Sequence, residues 1–172
     1  SALAEGVAAT RAELVAWLDA DGSMPPTDVP RLAAAAREAD VVVASRYAPG
    51  GQDARTAAGR VLASRIINTL GSVCLGGTVR DWTSGFVAAR RTALTRVPLR
   101  NHYVYGDYCI DFLYRAERAG LRVVEVPYRC AERRAGETKT SPSIMRFAGL
   151  GLRYVQTILR LRWNTLRGRD PS

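Results

Sequence analysis

Two short apolar runs, each ending abruptly in polar residues, constrain this chain more than any other feature. Leu14-Val15-Ala16-Trp17-Leu18 stops at Asp19, and Val41-Val42-Val43-Ala44 stops at Ser45-Arg46. An unbroken apolar run of this length suits a strand covered on both faces, as in parallel sheets flanked by helices. Helical stretches lie around the two runs. Leu3 to Glu13 puts Leu3, Val7 and Leu14 on one apolar side. A loop with Gly22, Pro25 and Pro26 precedes a helix that Thr27 or Asp28 can cap and that runs to about Glu38. After Pro49-Gly50-Gly51, a helix from about Ala57 to Leu75 carries Val61, Ile66, Ile67, Leu70 and Val73, and Gly76-Gly77 stops it. Phe86 to Ala89 reads as a short strand, Asp107 to Ala119 as a helix ended by Gly120, and Arg122 to Tyr128 as a strand. This alternation predicts an α/β fold with a mainly parallel sheet and flanking helices.

In such sheets ligands bind beyond the carboxyl ends of the strands. Asp19 and Asp21 follow one strand and Ser45-Arg46 the next, so neighbouring strands would gather them around one cleft. Two carboxylates at a spacing of two can reach a hard divalent cation, which prefers oxygen ligands and shares them with substrate phosphates. Taken alone, an Asp-x-Asp after an apolar run is more often a helix-capping turn or a solvated loop.

The net charge of +9 in 172 residues predicts an anionic partner: nucleic acid, anionic lipid or a phosphorylated small molecule. Arginine supplies nearly all of it, and Lys139 is the sole lysine. With 47% apolar residues the chain suits one domain with one sizeable core. Cys74, Cys109 and Cys130 are widely spaced and His102 is the only histidine, so neither a zinc site nor a disulfide framework is expected. That cysteine usage fits a reducing compartment. No stretch of about 18 uncharged apolar residues predicts a transmembrane helix, and there is no signal-peptide pattern after Ser1.

Several short motifs follow one another in order. Asp19-Ala20-Asp21-Gly22-Ser23 precedes Ala44-Ser45-Arg46-Tyr47 and Pro49-Gly50-Gly51. Arg60 and Ser64 come next, then Asp81-Trp82-Thr83-Ser84-Gly85-Phe86 with Arg90-Arg91. Glu125-Val126-Pro127-Tyr128, Arg133 and Gly136-Glu137-Thr138-Lys139-Thr140-Ser141 complete the series. Residues 1 to 141 thereby resemble the family 2 glycosyltransferases, in particular the dolichol-phosphate mannose synthase and polyprenyl-phosphate glycosyltransferase group.

The resemblance implies a partial GT-A, Rossmann-like domain over residues 1–141. It implies an inverting enzyme that takes a sugar, with mannose as a candidate, from a nucleotide-sugar donor to a polyprenyl phosphate. It assigns Asp19 and Asp21 to a Mg²⁺ or Mn²⁺ site, with Asp21 the direct ligand and Ser23 a third ligand or polar neighbour. Arg46 matches an arginine that approaches the donor, and Asp21 and Arg46 carry the catalytic role. Arg60 and Ser64 match an acceptor-side pair, and Arg133 and Lys139 a basic pair that meets donor or acceptor phosphates. Tyr108-Cys109-Ile110-Asp111 departs from the family's aromatic-Gln-x-acid run. Relatives begin with further βα elements that hold the nucleoside. Those elements do not precede the acidic strand here, so the resemblance leads us to expect a fragment or a degenerate copy, in which a partner chain supplies base recognition or activity is absent.

An anionic acceptor needs cations to place it and no general base. Without the resemblance, Arg133-Arg134 reads as a solvated strand end and Thr83-Ser84-Gly85 as a packing turn. His102 reads as a loop residue, and Tyr103 and Tyr105 as packing residues.

Residues 142–172 form a separate basic amphipathic arm by pattern. Ile144, Phe147, Gly151, Tyr154, Ile158, Leu161 and Thr165 recur at helical spacing, and Arg146, Arg153, Arg160 and Arg167 recur every seven residues. Arg162 and Arg169 add charge, and Trp163 suits an interface. Such a helix either lies on an anionic membrane surface or packs on the domain with its arginines in water. A membrane-held acceptor favours the first, as a peripheral protein on the cytoplasmic face. Nucleic acid is not an expected partner, because interleaved surface aromatics and nucleic-acid motifs are missing. The competing classes are a family 2 transferase with a saccharide or other lipid acceptor, a non-catalytic anion-binding module, and an inactive remnant.

Overall fold

A computed structural model describes residues 2–100, 106–132 and 144–168, the last stretch with side chains from 149 onward. Four strands, β1 (Leu14–Trp17), β2 (Val41–Ser45), β4 (Val87–Arg90) and β5 (Val123–Pro127), form one sheet in the order β1-β4-β2-β5. The helices are α1 (Ala2–Ala9), α2 (Val29–Ala35), α3 (Ala58–Leu75), α4 (Arg91–Arg96), α5 (Asp107–Arg118) and α6 (Ile144–Leu166). A small second sheet pairs β3 (Gln52–Asp53) with β6 (Arg129–Cys130) in parallel.

The expected common strand direction holds for β1, β2 and β5, and β4 runs against them. Its pairings with β1 and β2 are antiparallel, while β2 and β5 pair in parallel. The reversal matters for the site. Trp17 at the carboxyl end of β1 faces Val87 at the start of β4. The segment before β4, from Asp81 to Phe86, therefore enters at the same sheet end where β1, β2 and β5 leave.

Alternation along the strands divides the core. Val41, Val43, Val87 and Ala89 face one cluster, with Trp82, Phe112, Leu113, Ile158 and Leu161. Val42, Ala44 and Ala88 face the other, with Leu32, Ala36, Phe86 and Tyr128. The sheet is thus covered by α2 on one face and by α3, α5 and α6 on the other. β2, one of the two inner strands, is wholly buried, which its run of three valines anticipates.

Several elements depart from the sequence expectation. α1 ends at Ala9, short of Glu13, where Arg91 takes carbonyls of its last turn and of the segment beyond: Nη1 donates to Val7, Nη2 to Thr10 and Nε to Ala12. α2 ends at Ala35. α4 and the β3–β6 pair were not anticipated. By contrast α3 begins at Ala58 and closes on Gly76, whose φ of 73° suits a residue without Cβ.

α3 touches the core through a narrow strip. Of its 18 residues only Ile67, Asn68 and Gly71 are buried. At Gly71 a methyl group would lie 2.7 Å from the Trp82 ring, so glycine is what allows the helix to sit there. α6 packs against α3 and α5. Ile158 and Leu161 are buried in the main cluster, each worth about 1.5–3 kcal/mol, and the Tyr114 and Thr165 hydroxyls share a 2.6 Å hydrogen bond. Of the face expected to be apolar, Tyr154, Ile158, Leu161 and Thr165 turn inward; the side chains of Ile144 and Phe147 lie outside the described ones.

Candidate functional site

A cleft of about 550 Å³ opens at the carboxyl end of the sheet. Asp19, Asp21 and Ser23 come to it from the loop after β1, Arg46 from the end of β2, and Arg60 and Ser64 from α3. All six described candidates from the sequence meet in this one space. Arg133 and Lys139 lie outside the described residues, as do Arg134, His102, Tyr103, Tyr105 and Arg169, and of Arg146 and Phe147 only the backbone is described.

The acidic loop is held by its own polar groups. The Ser23 backbone N–H and hydroxyl both donate to Asp21 Oδ1, at 2.9 and 2.6 Å. Gly22 between them has a φ of 79°, which permits so tight a turn. Ala131 N–H donates to the Ser23 carbonyl at 3.0 Å, tying the loop to the segment after β6. Asp19, Asp21 and the Ser23 hydroxyl are hard oxygen donors beside open volume, a set that fits Mg²⁺ or Mn²⁺ with phosphate oxygens completing its shell. Among the described residues no group of three acidic, histidine or cysteine side chains gathers to hold an ion by itself.

Arg46 is not the free cation that the sequence suggests. It is 8% exposed, and Asp81 behind it is fully buried. The Arg46 backbone N–H and Nε donate to Asp81 Oδ2 at 2.9 and 2.8 Å, and Nη2 donates to Oδ1 at 2.6 Å. Nη2 also donates to Thr83 Oγ1 at 2.8 Å, while Nη1 stands 3.9 Å from Asp53. Burial opposes the charge, but the Asp81 carboxylate outweighs it and holds the guanidinium well above its ordinary pKa. Asp81 is placed in turn by Glu125 of β5, whose Oε1 accepts from the N–H groups of Arg80 and Asp81 at 3.0 and 2.8 Å. Burial raises the Glu125 pKa, and those two N–H bonds act against the rise.

The Pro49-Gly50-Gly51 turn fits closely against this strand end. A methyl on Gly51 would lie 2.5 Å from the Ser45 carbonyl oxygen. Beyond it Asp53 is gripped by Arg55, at 2.7 and 2.6 Å. Burial would raise the Asp53 pKa, but the Arg55 bonds prevail and lower it. Glu132 accepts from the Thr56 N–H and hydroxyl at 2.7 and 2.8 Å.

Sequence reasoning passed over Arg55, Glu132, Tyr154 and the structural pairing of Asp81. Arg55 and Glu132 sit in loops without a periodic signal. Tyr154 had a signal, its place on the apolar face of α6, but that face was read without knowing what it meets. With Leu150, Gly151 and Val155 it forms one wall of the cleft, opposite Ala63, Ile66 and Ile67 of α3. The wall continues outward. Leu62, Ile66 and Val73 of α3 and Leu152, Leu159, Trp163 and Leu166 of α6 are large apolar side chains more than half exposed. Arg153, Arg160 and Arg162 are exposed on the same α6, and Arg167, exposed just past its end, stacks 4.4 Å from the Trp163 ring centre. No described helix is long and apolar enough to cross a membrane.

The glycosyl transferase family 2 profile matches residues 1–97. An undecaprenyl-phosphate mannosyltransferase of Micrococcus luteus is 35% identical over 158 residues, covering 91% of this chain and 64% of that protein. The polyprenol monophosphomannose synthase of Mycolicibacterium smegmatis is 39% identical over 134 residues, covering 76% of this chain and 50% of that protein. The chain therefore spans between half and two thirds of these relatives' length. Among solved structures, glucosyl-3-phosphoglycerate synthase from Mycobacterium tuberculosis, in complex with Mn²⁺, UDP-glucose and phosphoglyceric acid, superposes with a TM-score of 0.66 at 22% identity. It covers 94% of this chain and 54% of that one. That likeness is one of fold, of the GT-A type.

Proposed function

Because this chain belongs to glycosyl transferase family 2, we propose that its cleft takes part in transferring a sugar, mannose by preference, from a nucleotide sugar to a polyprenyl phosphate at a membrane surface. The observation that carries this reading is the make-up of the cleft. Acidic oxygens and arginines line one part, and an apolar wall of α3 and α6 lines the other. A substrate that joins a phosphate to a hydrocarbon chain matches both. The names of the two mannosyl-transferring relatives agree with it.

In this reading Asp21 and Asp19, with Ser23 at their side, hold Mg²⁺ or Mn²⁺. The bound cation would neutralise the charge that develops on the leaving diphosphate. Ser23 keeps the Asp21 carboxylate turned toward the cleft before anything binds, so less reorganisation is needed at the moment of reaction. Arg46, held by Asp81, offers Nη1 to a donor phosphate oxygen. Arg60 and Ser64, one helical turn apart on α3, place the acceptor phosphate, and Arg133 and Lys139 extend that cationic side. An acceptor phosphate is already anionic, so the chain's residues need only bring it in line with the anomeric carbon for a single inverting displacement.

The exposed apolar residues of α6 and its arginines suit a peripheral contact with an anionic lipid surface, on the cytoplasmic face. Apolar insertion and roughly 1 kcal/mol for each arginine near the surface would combine there.

The test is transfer of labelled sugar from a nucleotide sugar by the purified protein in anionic vesicles. The vesicles carry a polyprenyl phosphate, the uncharged prenol, or no lipid acceptor beside a soluble saccharide. Label should enter the lipid phase only with the phosphate and a divalent cation. Label on the saccharide, with none on the polyprenyl phosphate, would overturn the acceptor assignment.

A further inference from the structure

We propose that Asn68 and Thr83 act as positioning residues that lock Arg46 to α3, and so hold the donor-side cation in register with the acceptor-side pair Arg60 and Ser64. The inference rests on the functional reading of those three residues.

Asn68 is a polar side chain 3% exposed in mid-helix, where an unsatisfied amide is costly. Its amide is fully engaged. Nδ2 donates to the Ser64 carbonyl at 2.8 Å and to Thr83 Oγ1 at 2.9 Å, and Oδ1 accepts from the Thr83 N–H at 3.2 Å. The flipped amide would set its NH₂ against the Thr83 N–H and its oxygen against the Ser64 carbonyl, so these partners select one orientation.

Thr83 Oγ1 accepts a second bond, from Arg46 Nη2 at 2.8 Å. With both acceptor positions used, its own hydrogen is directed to Asp81 Oδ1, 3.5 Å away. One oxygen atom thereby joins α3 to the Arg46–Asp81 pair. Asn68 is four residues after Ser64 and eight after Arg60, on the same face of the helix.

The join matters because the rest of what holds α3, its packing on α6 and the partly buried Leu70, Cys74 and Leu75, is largely apolar. Its other buried residues, Ile67 and Gly71, are apolar contacts that resist separation from the core. Such contacts have no directionality and leave rotation and sliding to be set by hydrogen bonds. Trp82 Nε1 donating to Ser72 Oγ at 3.2 Å is the neighbouring tie on the same strip. Removing the Thr83 hydroxyl would leave Arg46 Nη2 with Asp81 alone and cut its link to the α3 turn that carries Ser64.

The experiment uses nitrogen-15 NMR of the arginine side chains of the whole protein, with Arg46 assigned by its loss in Arg46→Lys. In the wild type, Arg46 should show a protected Nε–H and separate, slowly exchanging Nη signals. Adding inorganic phosphate, as a probe of the Arg60–Ser64 face, should shift them. Thr83→Val and Asn68→Asp should collapse the Nη signals and reduce the phosphate-induced shift at least threefold. Thr83→Ser, which keeps the hydroxyl, should restore both. In the transfer assay Thr83→Val should lower kcat about tenfold or more with the donor KM within about twofold, since misplacement affects the reacting geometry.

Wild-type signals and shifts in Thr83→Val would overturn the inference. So would equal loss in Thr83→Val and Thr83→Ser. If the signals behave as expected but no sugar is transferred by any form, the positioning stands and the transferase reading fails. If transfer occurs and Thr83→Val leaves both kcat and the Arg46 signals unmoved, the reading stands and the positioning fails.

Discussion

Cation-dependent binding of a nucleoside diphosphate should weaken by about 100-fold or more in Asp21→Asn. Asparagine keeps the shape of the side chain and an oxygen that can accept from the Ser23 N–H and hydroxyl, the two bonds that shape the loop. The fold should be untouched, because the loop's tie to Ala131 runs through the Ser23 backbone. What disappears is a full negative charge from a hard oxygen donor set, and a divalent cation bound to carboxylates depends on that charge. Loss of a ligand's supporting partner alone typically costs 10- to 100-fold in metal affinity, and loss of a charged ligand should cost no less. Calorimetry with Mn²⁺ and a nucleoside diphosphate, run on both proteins, measures it. Equal affinity would remove Asp21 from the metal site.

The second large effect is on stability. Asp81→Ala should lower it by about 3–5 kcal/mol, because it strands a buried guanidinium. For a protein of this size that is a fall in Tm of roughly 6–20 °C. Arg46 loses three hydrogen bonds to one carboxylate, and the groups remaining to it are Thr83 at 2.8 Å and Asp53 at 3.9 Å. The double replacement Arg46→Met with Asp81→Leu should recover most of the loss, since a buried pair replaced by apolar residues of similar volume is often neutral. Thermal and denaturant unfolding of the single and double variants would measure the coupling. A loss under about 1 kcal/mol in Asp81→Ala would mean that Arg46 finds other partners.

The elements that the chain announced plainly are those whose burial is uniform or periodic. Val41 to Ser45 could be nothing but a strand covered on both faces, and α3 and α5 ran close to their apolar pattern and glycine stops. The direction of β4 was not legible, because Phe86 to Ala89 is apolar whichever way it runs. Yet that direction is what carries Asp81 and Thr83 to the site. α1 stops early through bonds from Arg91, some 80 residues away, which no local pattern records.

The same division holds for the site. Asp19, Asp21, Ser23, Arg46, Arg60 and Ser64 were legible as motif positions, and they share one cleft. Their electrostatics were not. Arg46 was read as a cation facing phosphate, yet its Nε and one Nη2 hydrogen are spent on Asp81, 35 residues on. Arg55, Glu132 and Tyr154 enter through loop closure and helix docking, which depend on the assembled fold.

The most direct test of the account is where manganese binds. Crystals of the protein with Mn²⁺ and a nucleoside diphosphate, with diffraction recorded at the manganese absorption edge, should show an anomalous peak in the cleft. It should lie beside the carboxylates of Asp21 and Asp19, with the diphosphate reaching toward Arg46. A manganese peak away from these carboxylates, or a diphosphate bound outside the cleft, would contradict the account.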